Sequence, residues 1–600
     1  MITGSQAITS RTMRNQADYH SLKTWRIKLL ALLFLLGSFI IAAKLFVWQV
    51  LQSDLLSNYA RVQQQSQSSL PAARGAILAS DGFPLATTGE VYLLWASLKD
   101  IEDVKRTASK LAPLLIDKPE ENDATASAKT EDELILNEEE RLKTLLARTD
   151  VVWVPVKRKI GKEQKLQIES LGIKGIGFDL EEGRAYPEAS MAAQTLGFVG
   201  KDTAGTPKGY FGLEGFYDLT LSGSKGVKTW EKDAFGNPII LGGSHKVGAQ
   251  DGITIKTHID RSAQYLVERH LKEGVEKYEA AEGTVVVMRP RDGAILAMAG
   301  FPAYDPVKFN NFDKEFYINP AIGESFEPGS IFKVLVMAAA LDAEAVMPED
   351  KCDSCSGPRI IAEYTIESGS KQYYPDSVPS EIIEHSDNVG MIWVAERLGE
   401  EKMVEYLHKY GIGASTGIDL QGELVPPLRK DDKWGLVDLA TASFGQGVAI
   451  TPIQMVRAVG ALANAGKLVT PQVVDKIIAQ NKEDDIKPQK TEQVVSPRAA
   501  KQITDMMVNG VESKSDMWPI PRGFQVAGKT GTAQIPVAGH YDPNKVVSSF
   551  VGFAPANNPK FVMIVSLKDP KVGQFASQNA AFVWFNIADD LLPYFGAQPN

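Results

Sequence analysis

The sequence predicts an α+β protein carried on a single membrane helix. Three observations point there: one long apolar stretch near the start, strand-like and glycine-rich sequence to about Gln250, and a second half in which helical patterns precede several late strands. A length of 600 residues allows two to four domains. The formal net charge of −10 argues against nucleic-acid binding.

Leu29–Val50 is the one segment long and apolar enough to cross a bilayer. Lys44 interrupts it near one end, where a long side chain can snorkel to the interface beside Trp48. Arg11, Arg14, Lys23, Arg26 and Lys28 precede it against a single acid, Asp18, so the N-terminus is expected to stay cytoplasmic and the rest to be exported. No small-x-small cleavage site follows Trp48, which favours an uncleaved anchor. The polar stretch to Pro71 reads as a helical or flexible stalk. Residues 71–98 alternate like strands around Asp81-Gly82, a hairpin signal. Acids cluster between Asp117 and Glu140, which reads as a mobile loop or solvated helix, with an acidic docking site as the sharper alternative. Further on, Gly283–Pro290 and Gly293–Gly300 form a hairpin through Arg291-Asp292-Gly293. Helical patterns fill much of 330–470, and strands are expected near 524–534, 547–554 and 560–567. Helices around a mainly antiparallel sheet make the second half α+β.

Three motifs carry chemistry. Ser330-Ile331-Phe332-Lys333 opens a buried helix, and residues three apart share a helical face, so Ser330 and Lys333 can touch. A serine hydroxyl needs a base, and a lysine serves if burial or a neighbouring cation leaves it neutral. Ser386-Asp387-Asn388 follows: Ser386 can relay a proton, and Asn388 can orient Lys333 and hold a substrate amide. Lys529-Thr530-Gly531-Thr532 lies in a strand-like stretch where Gly528 and Gly531 allow close approach. Lys529, Thr530 and Thr532 would bind a substrate carboxylate, with the backbone N–H groups of Ser330 and Thr532 as an oxyanion hole. The spacing SxxK recurs at Ser222/Lys225 and Ser368/Lys371, in turn-like sequence without apolar periodicity.

This ordered triple resembles the penicillin-binding transpeptidase and serine β-lactamase superfamily. Stretches such as NPAIGESFEPGSIFK, ATASFGQGVAITPIQM and SSFVGFAPANNPKFVMIV extend the likeness. Upstream, ARGAILASDGFPLA and YFGLEGFYDLTLSGSKG resemble the non-catalytic pedestal of class B penicillin-binding proteins. The resemblance implies a cytoplasmic tail at 1–28, a transmembrane helix at 29–50, a pedestal (dimerisation-type) domain at 51–255 with the acidic insert at about 117–140, and a transpeptidase domain at 256–600. It implies that Arg74, Gly75, Arg184 and Glu214 hold the pedestal together. It further implies a D,D-transpeptidase that cross-links peptidoglycan stem peptides through a Ser330 acyl-enzyme, in elongation or division, and is inhibited by β-lactams. No metal or organic cofactor is implied. A glycosyltransferase domain is not expected in the chain, so a SEDS-type polytopic partner is.

Other readings compete. A β-lactamase would need a glutamate-bound water, for which Glu423 is the only candidate at the right distance. A D,D-carboxypeptidase or a non-catalytic wall scaffold also remains open. Gly413-Ala414-Ser415-Thr416-Gly417 fits a nucleophile elbow, but a helix rather than a strand precedes it. The seven histidines show no HExxH spacing, and His385 beside Ser386 reads as a hydrogen-bonded helix residue. Cys352 and Cys355 suit a short-loop disulfide in an exported domain, with free thiols as the alternative.

Overall fold

The computed structural model describes residues 10–116, 130–233, 239, 243–369, 371–430, 434–479, 482–486, 491–537, 540–573 and 575–599. The chain divides into two compact units, residues 1–72 with 224–250, and residues 73–223 with 251–600.

The first unit begins with a helix over Ser10–Phe46 that continues as a π-turn over Val47–Leu51. Within it, Thr24–Leu51 is long and apolar enough to span a membrane. The Lys44 ammonium lies 5.3 Å from the Trp48 ring centroid, within reach of a cation–π contact. The stalk is helical only over Ser53–Gln64. Beyond it Gln65–Leu70 is a strand, paired antiparallel with Gly226–Glu231, which in turn pairs with Ser244–Val247. A run of Ser and Gln has no apolar face to announce a strand; a partner some 160 residues away supplies the ladder.

The second unit contains two large sheets. One has seven strands, ordered Lys482–Asp485, Val474–Ala479, Thr254–Thr257, Ile77–Leu78, Pro84–Ser97 and Trp153–Ile160, with Ile176–Ala185 also pairing with Pro84–Ser97. The expected hairpin around Asp81-Gly82 is there. Of the acidic segment, residues 117–129 lie outside the described residues. The remainder is a helix, Glu131–Leu146, begun by a capping box between Thr130 and Glu133 and by three acids in its first turn. Leu142 and Leu146 bury one face against Leu111 and Leu115, so this helix is only half solvated.

The other sheet has five antiparallel strands: β1 (Glu282–Met288), β2 (Ile295–Phe301), β3 (Ala527–Val537), β4 (His540–Ala554) and β5 (Phe561–Lys568), in the order β2-β1-β5-β4-β3. Both faces are covered, which is why β1 and β5 read as unbroken apolar runs rather than alternating ones. On one face Val286, Met288, Val562 and Ile564 belong to the same core as α1 (Lys333–Asp342) and pack directly under the helix Pro452–Ala463. On the other, Val285, Val287, Met563 and Val565 share a core with the helix Arg261–Tyr278 and with α5 (Ala580–Tyr594), whose Trp584 Nε1 donates to Met563 O at 2.9 Å. The layer around α1 includes α2 (Pro379–Glu384), α3 (Asn388–Leu398), α4 (Pro452–Ala463) and the longer helix Pro497–Glu512.

Segments far apart in sequence are tied together within this unit. Gln421 Oε1 accepts the Phe211 N–H at 2.7 Å. The Asp419 carboxylate accepts from Val473 N, Val474 N and the Tyr217 hydroxyl at 2.7–3.1 Å.

Candidate active site

Ser330 sits in a 3₁₀ turn, Gly329–Phe332, that runs directly into α1 at Lys333. Gly329 has φ +54°, in the left-handed region, and its N–H donates to Gly445 O at 3.0 Å. A Cβ on Gly445 would stand 2.3 Å from Gly329 O, so this glycine lets its loop hold the turn. Gly445 was not singled out in the sequence; nothing in its local pattern shows which backbone it touches.

The Ser386-Asp387-Asn388 motif forms the corner between α2 and α3. Asp387 caps α3, accepting from Val389 N and Gly390 N at 3.0 and 3.1 Å. Ser386 is held at φ +56°, a conformation that costs a non-glycine residue on the order of 1 kcal/mol or more. The corner presents both its side chain and its carbonyl to Lys333.

Lys333 is fully buried. Its Nζ donates to Ser386 O at 2.6 Å and Asn388 Oδ1 at 2.8 Å, with Ser386 Oγ at 3.4 Å. No hydrogen bond among the described residues joins the Ser330 hydroxyl to Lys333. Asn388 Nδ2 donates to Glu367 O at 3.1 Å, so its amide is fixed and one N–H stays unassigned. Lys529 Nζ donates to Ser386 Oγ at 3.0 Å and Thr530 O at 3.2 Å. One hydroxyl therefore lies between two lysine amino groups. Burial pushes Lys333 well below the ordinary lysine range; the Lys529 charge acts the same way and Asp387 opposes it. Burial, helped by Lys514, brings Lys529 down to about 7.

Lys529, Thr530, Gly531 and Thr532 lie on β3, the edge strand of the five-stranded sheet. A Cβ on Gly531 would stand 2.8 Å from Pro328 O and 3.1 Å from Ile331 N. Its close neighbour is thus the Ser330 turn itself. The Gly528 position is filled by the Phe550 ring, 2.4 Å from a Cβ placed there. Thr532 Oγ1 accepts the Ala576 N–H at 3.0 Å and keeps its own proton to donate. Glu327, three residues before Ser330, accepts from Gly447 N at 3.1 Å and from the Tyr541 hydroxyl at 3.0 Å. That pair spans more than two hundred residues and left no sequence signal.

The remaining candidates fall elsewhere. Arg74 Nε and Arg184 Nε both donate to the fully buried Glu214 carboxylate, at 2.6 and 2.5 Å, and Arg74 also reaches Asp218 at 2.7 Å. Arg184 Nη1 bonds Gly75 O at 2.8 Å, and a Cβ on Gly75 would strike Ile253 O at 2.1 Å. Cys352 and Cys355 are joined in a disulfide. His385 stacks on Tyr374 with ring centroids 3.9 Å apart. Gly413–Gly417 is a turn after the helix Glu400–Lys409, without the strand an elbow needs. Glu423 is engaged by Thr416 N at 2.6 Å and Oγ1 at 2.5 Å, and by the Ser415 hydroxyl. Ser222 ends a five-residue helix and Lys371 lies in a turn, so neither extra SxxK starts a buried helix.

Comparison with known proteins gives two family matches: "Penicillin binding protein transpeptidase domain" over residues 283–589 and "Penicillin-binding Protein dimerisation domain" over 69–257. Stage V sporulation protein D of Bacillus subtilis is 31% identical over 94% of this chain and 84% of its own length. Peptidoglycan D,D-transpeptidase FtsI of Escherichia coli is 25% identical over 95% of this chain and 91% of its own. Among solved structures, Penicillin Binding Protein 2X from Streptococcus thermophilus superposes with a TM-score of 0.69 at 23% identity, covering 89% of this chain and 81% of that one, a likeness of fold.

Proposed function

Because this chain belongs to the penicillin-binding transpeptidase family, with the class B arrangement of a dimerisation domain ahead of the catalytic one, we propose that it is a peptidoglycan D,D-transpeptidase working through an ester on Ser330. The observation that carries this reading is the meeting of three distant motifs on one hydroxyl: Lys333 and Lys529 both donate to Ser386 beside the Ser330 turn.

Neutral Lys333 takes the Ser330 proton as Oγ attacks the carbonyl of a D-Ala–D-Ala amide. The N–H groups of Ser330 and Thr532 receive the oxyanion, and Lys529, Thr530 and Thr532 hold the terminal carboxylate. The proton passes through Ser386 to the departing D-alanine amine. A neighbouring stem peptide's amine then attacks the ester, gives up a proton, and restores the Ser330 hydroxyl. Asn388 orients Lys333 and steadies the donor's backbone. Arg74, Gly75, Arg184 and Glu214 serve the pedestal, not the chemistry. The domain limits at 255/256 and the single-pass topology with a cytoplasmic N-terminus in the inner membrane belong to the same reading. A SEDS-type glycosyltransferase in that membrane would supply the glycan strands. A β-lactamase is disfavoured because Glu423, its one candidate water-holder, is consumed by the turn at Ser415–Thr416.

Labelling with a fluorescent penicillin tests this. Stable, stoichiometric label that disappears in Ser330→Ala is expected; label on the variant, or rapid loss of label from the parent, would overturn it.

A further inference from the structure

Beside the site lies a cavity of about 270 Å³, bounded by β1, β3, β4 and β5 on one side and by the segment Glu324–Glu327 on the other. Small-molecule sites run to ~300–1,000 Å³, so this space suits one side chain rather than a whole ligand. Its position relative to the chemistry is fixed by the chain. Glu327 lies three residues before the nucleophile, and Ala533–Ile535 follow Thr532 on β3.

On the proposed function, from which this inference starts, the donor's terminal carboxylate sits at Lys529–Thr530 and its scissile carbonyl at Thr532. The donor's preceding residue must then extend along β3 past Thr532, toward Ala533–Ile535, which line the cavity.

The lining chooses the chemistry. Three carboxylates, Glu282, Glu324 and Glu327, and one lysine, Lys568, line the cavity. Lys568 Nζ bonds Glu282 at 2.8 Å and Glu324 at 3.2 Å, which leaves an excess of negative charge. Burial raises Glu327 above the ordinary carboxyl range, a cost that a nearby cation would relieve. Ser566 also lines the cavity; it is 7% exposed and its hydroxyl has no partner among the described residues. Phe326 and Ile535 make the walls apolar. An apolar-walled pocket with acidic groups and an unused hydroxyl fits an alkyl chain ending in an ammonium.

We propose that this cavity receives the side-chain ammonium of the stem-peptide residue immediately upstream of the acylated D-alanine. Lysine and diaminopimelate both carry such a group, and the cavity recognises what they share.

The test compares donor peptides ending in lysyl-D-Ala-D-Ala, ε-N-acetyl-lysyl-D-Ala-D-Ala and diaminopimelyl-D-Ala-D-Ala, with kcat/KM for D-alanine release measured on the intact protein. A charge-assisted contact of this kind should favour the free amines by about tenfold or more. The faster of the two identifies the natural source. In Glu324→Gln and Glu282→Gln the ratio of free to acetylated peptide should fall to less than about threefold, whatever the absolute rates. Equal rates for free and acetylated peptides in a protein that penicillin still labels would overturn the cavity assignment and leave the transpeptidase reading intact. A strong preference untouched by either substitution would also overturn it. Failure of every donor and of penicillin to acylate Ser330 would instead bring down the transpeptidase reading.

Discussion

Two buried lysines share the Ser386 hydroxyl, and the pH behaviour of the site follows from that. On the proposed mechanism Lys333 must be neutral to take a proton from Ser330. Burial and the Lys529 charge both favour its neutral form, so acylation by penicillin should rise with pH through a midpoint below the ordinary lysine value of 10.5. Lys529→Met removes a repelling charge, which raises the Lys333 pKa, so the midpoint should move upward in rapid-mixing acylation measurements across a pH series. A midpoint that stays put would contradict the shared-hydroxyl geometry. Ser386→Ala should slow acylation by about 10²–10⁴-fold, the usual worth of a positioned proton relay. At this scale the sequence was informative because Ser330, Lys333, Ser386, Asn388 and Lys529 belong to motifs whose chemistry needs those residue types. Glu327 and Gly445 were invisible because their roles depend on partners brought near only by folding.

The Ser330 turn and the edge strand are positioned by an absence of side chain. A Cβ on Gly531 would crowd Pro328 O at 2.8 Å, so β3 and the Ser330 turn keep this approach because a glycine is there. Gly531→Ala should destabilise the protein by ~1–3 kcal/mol through overpacking, and should cut penicillin acylation more than tenfold in the folded fraction. Gly357→Ala, where nothing lies within 4 Å of the added Cβ, is the matched control and should change neither. Thermal melts with parallel labelling check both. The hairpin β1–β2, the strands β3 to β5 and helix α1 were legible because their apolar runs and turn residues are local signals. The strand Gln65–Leu70 was not, since Ser and Gln carry no periodicity and its partner is remote. The helix Glu131–Leu146 was half legible: acids obscured the two leucines that anchor it.

Over the whole molecule, the Glu214 carboxylate gathers Arg74 and Arg184 from segments far apart in the chain. Breaking one partner of a buried pair strands the others, so Glu214→Ala should cost ~3–5 kcal/mol in denaturant unfolding, whereas the protein that remains folded should still acylate Ser330. A loss below about 1 kcal/mol would mean that the cluster is better solvated than its burial indicates. The α+β class, the apolar anchor and the order of parts were readable from composition and motif order. The way Val474–Ala479 leaves the catalytic region to extend the other sheet was not, because strand pairing across sequence has no local signature. The central claim is that Ser330 carries an acyl group destined for another peptide's amine. The direct test supplies the purified protein with a D-Ala-D-Ala donor peptide and an acceptor amine, and follows both products by mass spectrometry. The account predicts a cross-linked product that grows with acceptor concentration, together with a Ser330-linked acyl-enzyme. Hydrolysed donor alone at every acceptor concentration would contradict it and make the protein a carboxypeptidase.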